Sequence, residues 1–179
     1  MIRFNKVAGT ILGAALLVAG TSASQAGDTY VDGSGFALSG YDVISYFDAN
    51  ETKFDRGLNY IEPGSDKITA SYNGAKYAFS SEENRARFVA NPAAFAPQFD
   101  GHCVHGVSTN VKLPANPMSW EIVDGKLYLL RREDMKSTWH ENMIANIVEA
   151  DDNWADIENA PASRQRIPYF DDAAAPVKG

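Results

Sequence analysis

Cysteine and histidine are scarce in this chain, with one cysteine and three histidines among 179 residues. A lone Cys103 excludes an internal disulfide and any Cys-x-x-Cys redox pair. Cations are also few, 16 Lys and Arg against 23 Asp and Glu, for a formal charge of −7. A surface of that sign repels nucleic acid and anionic lipid, so neither is expected as a partner. After the first 26 residues no apolar run approaches the ~20 residues that a membrane-spanning helix needs. No long internal repeat occurs.

The N-terminus reads as a sorting signal, with an uncleaved anchor as the alternative, although its apolar run is short of the ~20 residues that span a bilayer. Arg3 and Lys6 form a basic start, Val7 to Ala19 is a short apolar run, and Ser24-Gln25-Ala26 resembles a small-residue cleavage site. That pattern describes a secretory signal peptide over 1–26, with a bacterial periplasm as the expected destination. Cleavage leaves 14 Lys and Arg against 23 acids, a charge of −9. The remaining ~150 residues match one domain with a proper core. We assign 27–158 to that domain and 159–179, rich in Ala, Pro and isolated charges, to a flexible C-terminal tail. Within the tail, Ile167-Pro-Tyr-Phe170 is an apolar patch expected to dock on the domain itself.

Turn chemistry predicts two hairpins. Residues 68–72 and 75–79 alternate apolar and polar side chains around Asn73-Gly74, and 120–123 and 126–130 do so around Asp124-Gly125. Both pairs tolerate the positive φ of a type I′ turn. Together they are expected to form one small antiparallel sheet. Ser80 and Glu83 read as a capping box opening a helix from Glu82 to Ala90, ended by Asn91-Pro92. A long helix is predicted from Arg132 to Asn153, with Met135, Trp139, Met143 and Ile147 at i,i+4 and Ala150 and Trp154 extending the stripe. The acids Glu149, Asp151, Asp152, Asp156 and Glu158 lack calcium-loop spacing and read as a solvated surface. The fold class is α+β: a small antiparallel sheet from two hairpins, packed with several short helices and one long C-terminal helix.

The densest chemistry lies in Gly101-His-Cys-Val-His-Gly106, which holds two of the three histidines and the cysteine. Thiolate and imidazole together bind copper or zinc, and they also make a nucleophile and base pair. Candidate metal ligands are Cys103 and His105, with His102 or His140 completing the set. Met118, Met135 and Met143 carry thioethers suited to Cu(I), although the last two lie on the apolar stripe and suit packing equally. Geometry decides among these readings. On a helix His102 and His105 share a side and Cys103 points away; on a strand Cys103 and His105 share a face; a turn framed by Gly101 and Gly106 gathers all three. We expect a short helix with Cys103 and Val107 on its buried side and His105 nearer solvent. A buried structural thiol is then the plain alternative, since free cysteine behaves as a small apolar residue.

The order of motifs resembles the exported YHS-domain proteins. The resemblance runs from about Phe36 to Trp154 and is carried by Gly40-Tyr-Asp-Val-Ile-Ser-Tyr-Phe47, Tyr72-Asn-Gly-Ala-Lys-Tyr-Ala-Phe-Ser-Ser81, Arg85 to Phe88, Asn91-Pro92, Pro97, Gly101-His-Cys103, Val107-Ser108 and Trp120 to Leu130. It implies a small α+β domain and, through shorter YHS modules attached to copper pumps, a role near metals. Those modules commonly carry Phe-Cys-Ser-x-x-Cys after the first hairpin. Here Ser80 and Asn84 stand in the two cysteine places, so any metal site must be rebuilt around Cys103.

Three functions stay open on the sequence. One is a periplasmic metal-binding module taking copper or zinc through Cys103, His105, His102 and His140. Another is a cysteine enzyme with Cys103 as nucleophile, His105 or His140 as base and Asp100 or Asp124 orienting it, although no oxyanion loop or protease signature accompanies the thiol. The third is a non-catalytic domain that binds a small ligand or a periplasmic protein partner. Its walls would come from Tyr41, Tyr46, Phe47, Tyr72, Tyr77, Phe95 and Phe99, most of which a domain this size needs for its core.

Overall fold

The computed structural model describes residues 28–56, 61–168 and 170, with side chains outside 50–56. Residues 1–26, read from the sequence as a signal peptide, and residues 171–179 lie outside the described residues. The architecture is α+β, in the order α1 (Val43–Arg56), β1 (Ser65–Tyr72), β2 (Ala75–Phe79), α2 (Glu82–Ala90), α3 (Pro92–Phe95), α4 (Val104–Ser108), β3 (Asn116–Val123), β4 (Lys126–Leu130), α5 (Lys136–Glu141) and α6 (Met143–Ile157). Among the described residues no helix is long and apolar enough to cross a membrane.

Both hairpins form where the turn residues place them. Tyr72 pairs with Ala75 and Val123 with Lys126, closing two-residue loops. Asn73 and Gly74 have φ of 47° and 74°, and Asp124 and Gly125 have 49° and 73°, the two left-handed residues that a type I′ turn requires. The hairpins form two separate two-stranded sheets rather than the expected single one. Helix α1 packs against both β2 and β3, so side chains rather than a backbone ladder join the hairpins. Each long strand also has a register shift, between Ser65 and Thr69 in β1 and between Asn116 and Trp120 in β3, which interrupts the ladder.

Helix α2 spans Glu82–Ala90 as predicted, but its cap is displaced by one residue. Ser81 is the N-cap, its hydroxyl accepting from the Asn84 N–H, and Ser80 is engaged elsewhere. The long C-terminal helix is broken. A 3-10 turn at Glu133–Met135 leads into α5, and Asn142, at φ −131° and ψ 26°, separates α5 from α6. The apolar stripe survives the break: Trp139 and Ala150 are buried, and Met143, Ile147 and Trp154 pack partly buried on the core. Glu149, Asp151, Asp152 and Asp156 are exposed, whereas Glu158 is half-buried.

One core unites these elements. Phe88 of α2 stacks near Tyr77 and Phe79 of β2 at ring separations of 4.8 and 5.2 Å, and Leu127, Leu129, Val104 and Val107 continue the same cluster. Burial of these side chains supplies the main stabilisation, on the order of 1.5–3 kcal/mol for each large apolar residue. After α6 the chain returns across the domain, and Ile167 is buried there at 6% exposure, consistent with the expected docking of its patch.

Candidate functional site

The segment around Cys103 is built by a sharp reversal. Phe99, Asp100 and Gly101 have φ of 54°, 52° and 76°, three consecutive left-handed residues after Pro97. The chain then runs extended through His102 and Cys103, which bridge to Pro114 on one side and Leu129 of β4 on the other. Extended neighbours point to opposite faces, so the backbone itself turns His102 and Cys103 apart. Cys103 occupies the N-cap position of α4 instead of lying within the helix, and the Val107 N–H donates to the Cys103 carbonyl at 3.0 Å. Cys103 and Val107 therefore share the buried side, and His105 is half-buried.

The Cys103 side chain is 1% exposed and packs with Val104, Val107 and Leu129 in the core cluster. Burial pushes its thiol above the usual value; the nearby N–H groups of Gly106, Arg131 and His105 and the Arg131 charge pull the other way and do not prevail. A nucleophile needs the thiolate, and this environment favours the thiol.

His102 has no exposed surface. Its Nδ1 lies 3.0 Å from the Phe99 carbonyl, which only accepts, so Nδ1 carries the proton; its Nε2 accepts from the Ser163 N–H at 3.3 Å. Both nitrogens are thereby engaged in the neutral tautomer. Burial, with the Lys112 charge adding to it, pushes the pKa down to about 4 against the opposing pull of the Phe99 carbonyl. Tyr30 and Trp154 enclose the ring at centroid separations of 5.9 and 6.3 Å.

His140 stands apart on α5, half-exposed, with Nε2 3.1 Å from Glu121 Oε1 on β3. Asp100 and Asp124 serve turns. Asp100 Oδ1 accepts from Asn73 Nδ2, and Asp124 occupies the tip of the second hairpin. Met118 is exposed at 45%, while Met143 packs on the core. Among the described residues no group of three or more His, Cys, Asp and Glu side chains is placed to hold a metal ion. Cys103 is sealed in apolar packing, both His102 nitrogens are engaged and His140 pairs with Glu121, so the four candidate ligands are not gathered into one group among the described residues.

A polar hub missed by the sequence reading lies at Asp42. Its carboxylate is fully buried: Oδ1 accepts from the Ile44 N–H at 2.9 Å, and Oδ2 accepts from the Ser80 N–H, the Ser80 hydroxyl and Asn84 Nδ2, each at 2.8 Å. Ser80 and Asn84 here grip a carboxylate that ties the start of α1 to the start of α2. An Asp directly before an apolar helix is an N-cap signal, and Tyr41-Asp-Val-Ile44 carries it, although no helix was predicted there. Asp42 is saturated with donors, which suits a structural clamp.

The aromatic residues proposed as pocket walls are mostly committed to the core. Tyr46, Tyr77 and Phe99 are buried, and Tyr41, Phe47, Tyr72 and Phe95 pack against that core. Phe47 meets Phe95 edge-on at 5.2 Å. No family model, curated protein or solved structure matches this chain, so its resemblance to the exported YHS-domain proteins rests on the motifs themselves.

Proposed function

We propose that this chain is an exported, YHS-like, non-catalytic binding domain in which Cys103 and His102 hold the fold together. The observation that carries this reading is the enclosure of the one thiol, 1% exposed and raised in pKa, between α4 and β4. Catalysis at Cys103 would need an accessible thiolate with a base beside it, whereas the thiol is buried and His140, one of the two candidate bases, is paired with Glu121 on β3. The test is titration of the reduced protein with Cu(I) and Zn(II), in parallel with Cys103→Ser and His105→Ala. The expected result is that neither substitution changes affinity for either ion. A stoichiometric site weakened by both substitutions overturns the proposal and restores a metal-binding module.

A further inference from the structure

The C-terminal stretch after α6 forms one wall of a groove of about 160 Å³, and residues 30–33 form the other. Arg164 and Arg166 line it, with Gln165 between them and Tyr30 and Asp32 opposite. Arg131 joins the same corner, donating from Nη1 to Gln165 Oε1 at 3.1 Å. Two arginines thus line one groove, and a third is bonded to the glutamine between them, in a chain whose net charge is −7. The ion pairs among the described residues engage Arg85, Arg87, Arg132, Lys136 and His140, and none engages Arg131, Arg164 or Arg166. The acid across the groove, Asp32, is held by its own loop: Oδ1 accepts from the Ser34 N–H and hydroxyl, and Oδ2 from the Ser39 hydroxyl, and accepting these bonds does not remove its charge.

The wall that presents the arginines is pinned at several points. Ser163 N–H donates to His102 Nε2, the Tyr30 hydroxyl donates to the Gln165 carbonyl at 3.4 Å, and Ile167 is buried just beyond. Before it, Lys112 Nζ donates to the carbonyls of Glu158 and Ala160 at 2.7 and 2.6 Å. Guanidinium groups on a fixed backbone recognise oxyanions through paired N–H donors, and less entropy is lost than when a mobile segment must first be ordered. The groove is smaller than the roughly 300 Å³ at the low end of drug-sized pockets, which suits a single anionic group.

From these observations we infer that the groove between residues 30–33 and 163–166 is a binding site for a small multivalent oxyanion of the phosphate type, held by Arg164 and Arg166 with Arg131 in support. This assigns a ligand class to the binding-domain reading and rests on it. The experiment is calorimetric titration of the protein with inorganic phosphate, glycerol phosphate and citrate, repeated with Arg164→Gln/Arg166→Gln and with the distant control Arg85→Gln. Saturable binding is expected, weakened about tenfold or more in the double variant and unchanged in the control. Tighter binding of glycerol phosphate than of free phosphate would identify a phosphate ester as the ligand, and the reverse order would identify the free ion. Absence of saturable binding, preference for citrate over both phosphates, or equal binding by the double variant overturns the site. With Cys103 still sealed and no thiol-dependent metal binding, such a result leaves the binding-domain reading standing, whereas a Cys103-dependent Cu(I) site removes that reading whatever the anion does.

Discussion

His102 and Asp100 are shifted by burial in opposite directions, and both shifts favour the neutral form. His102 falls from its ordinary 6.5 to about 4, so the unfolded chain takes up the proton first and stability is lost as pH drops from 6.5 toward 4, by up to about 3 kcal/mol. Asp100 rises from 3.8 to about 6, so the folded chain keeps its proton longer and stability is lost as pH rises through 6. The two windows overlap and largely offset each other. Asp100→Asn suits the left-handed backbone at this position and removes only the carboxyl titration. Urea unfolding of this variant should therefore show a steeper loss of stability between pH 6.5 and 4 than the parent. Parallel pH profiles would show that Asp100 does not titrate as its surroundings dictate. A milder case is Ser119, whose hydroxyl is buried without a hydrogen-bond partner among the described residues. Ser119→Ala should leave stability unchanged or raise it by less than about 1 kcal/mol, as read from the same unfolding curves.

The elements meet at close backbone approaches, and glycines mark the closest. A Cβ on Gly64 would lie 2.5 Å from the Ala78 carbonyl carbon, where β2 passes. On Gly106 it would lie 2.9 Å from the Val111 carbonyl oxygen and 3.2 Å from Leu113, where the loop after α4 folds back. Gly74 meets nothing within 4 Å but has φ of +74°. Substitution by Ala should therefore cost most at Gly64, about 1–3 kcal/mol at Gly106, and about 1 kcal/mol at Gly74. Thermal melts of the three variants check that order, and a Gly74→Ala variant less stable than Gly64→Ala would contradict it. The hairpin turns were legible because two adjacent residues determine each loop. The break at Asn142 was not, since the stripe from Trp139 to Met143 keeps helical spacing across it and nothing in the sequence stops a helix there. The separation of the hairpins into two sheets was equally hidden, because it depends on α1 packing against both.

At the scale of the whole molecule, composition located the His/Cys cluster, and tertiary structure decided how its side chains are placed. The clustering of His102, Cys103 and His105 was plain in the sequence, and burial of Cys103 with Val107 was one of the readings it left open. Their dispersal depends on the left-handed run at residues 99–101 and on Ser163, some sixty residues downstream, meeting His102. The arginine groove was hidden for the same reason, since it exists only where the chain after α6 returns beside residues 30–33. The central claim, that the lone thiol is structural, is tested most directly by the alkylation rate of Cys103 with a small haloacetamide. It is measured in the native protein between about pH 6 and 9 and compared with the denatured chain. The account predicts a native rate at least ~100-fold slower, limited by opening of the packing between α4 and β4 and still rising at the top of that range. A native rate equal to the denatured one, or a plateau reached well below pH ~8.5, would contradict it and identify an accessible, activated thiolate.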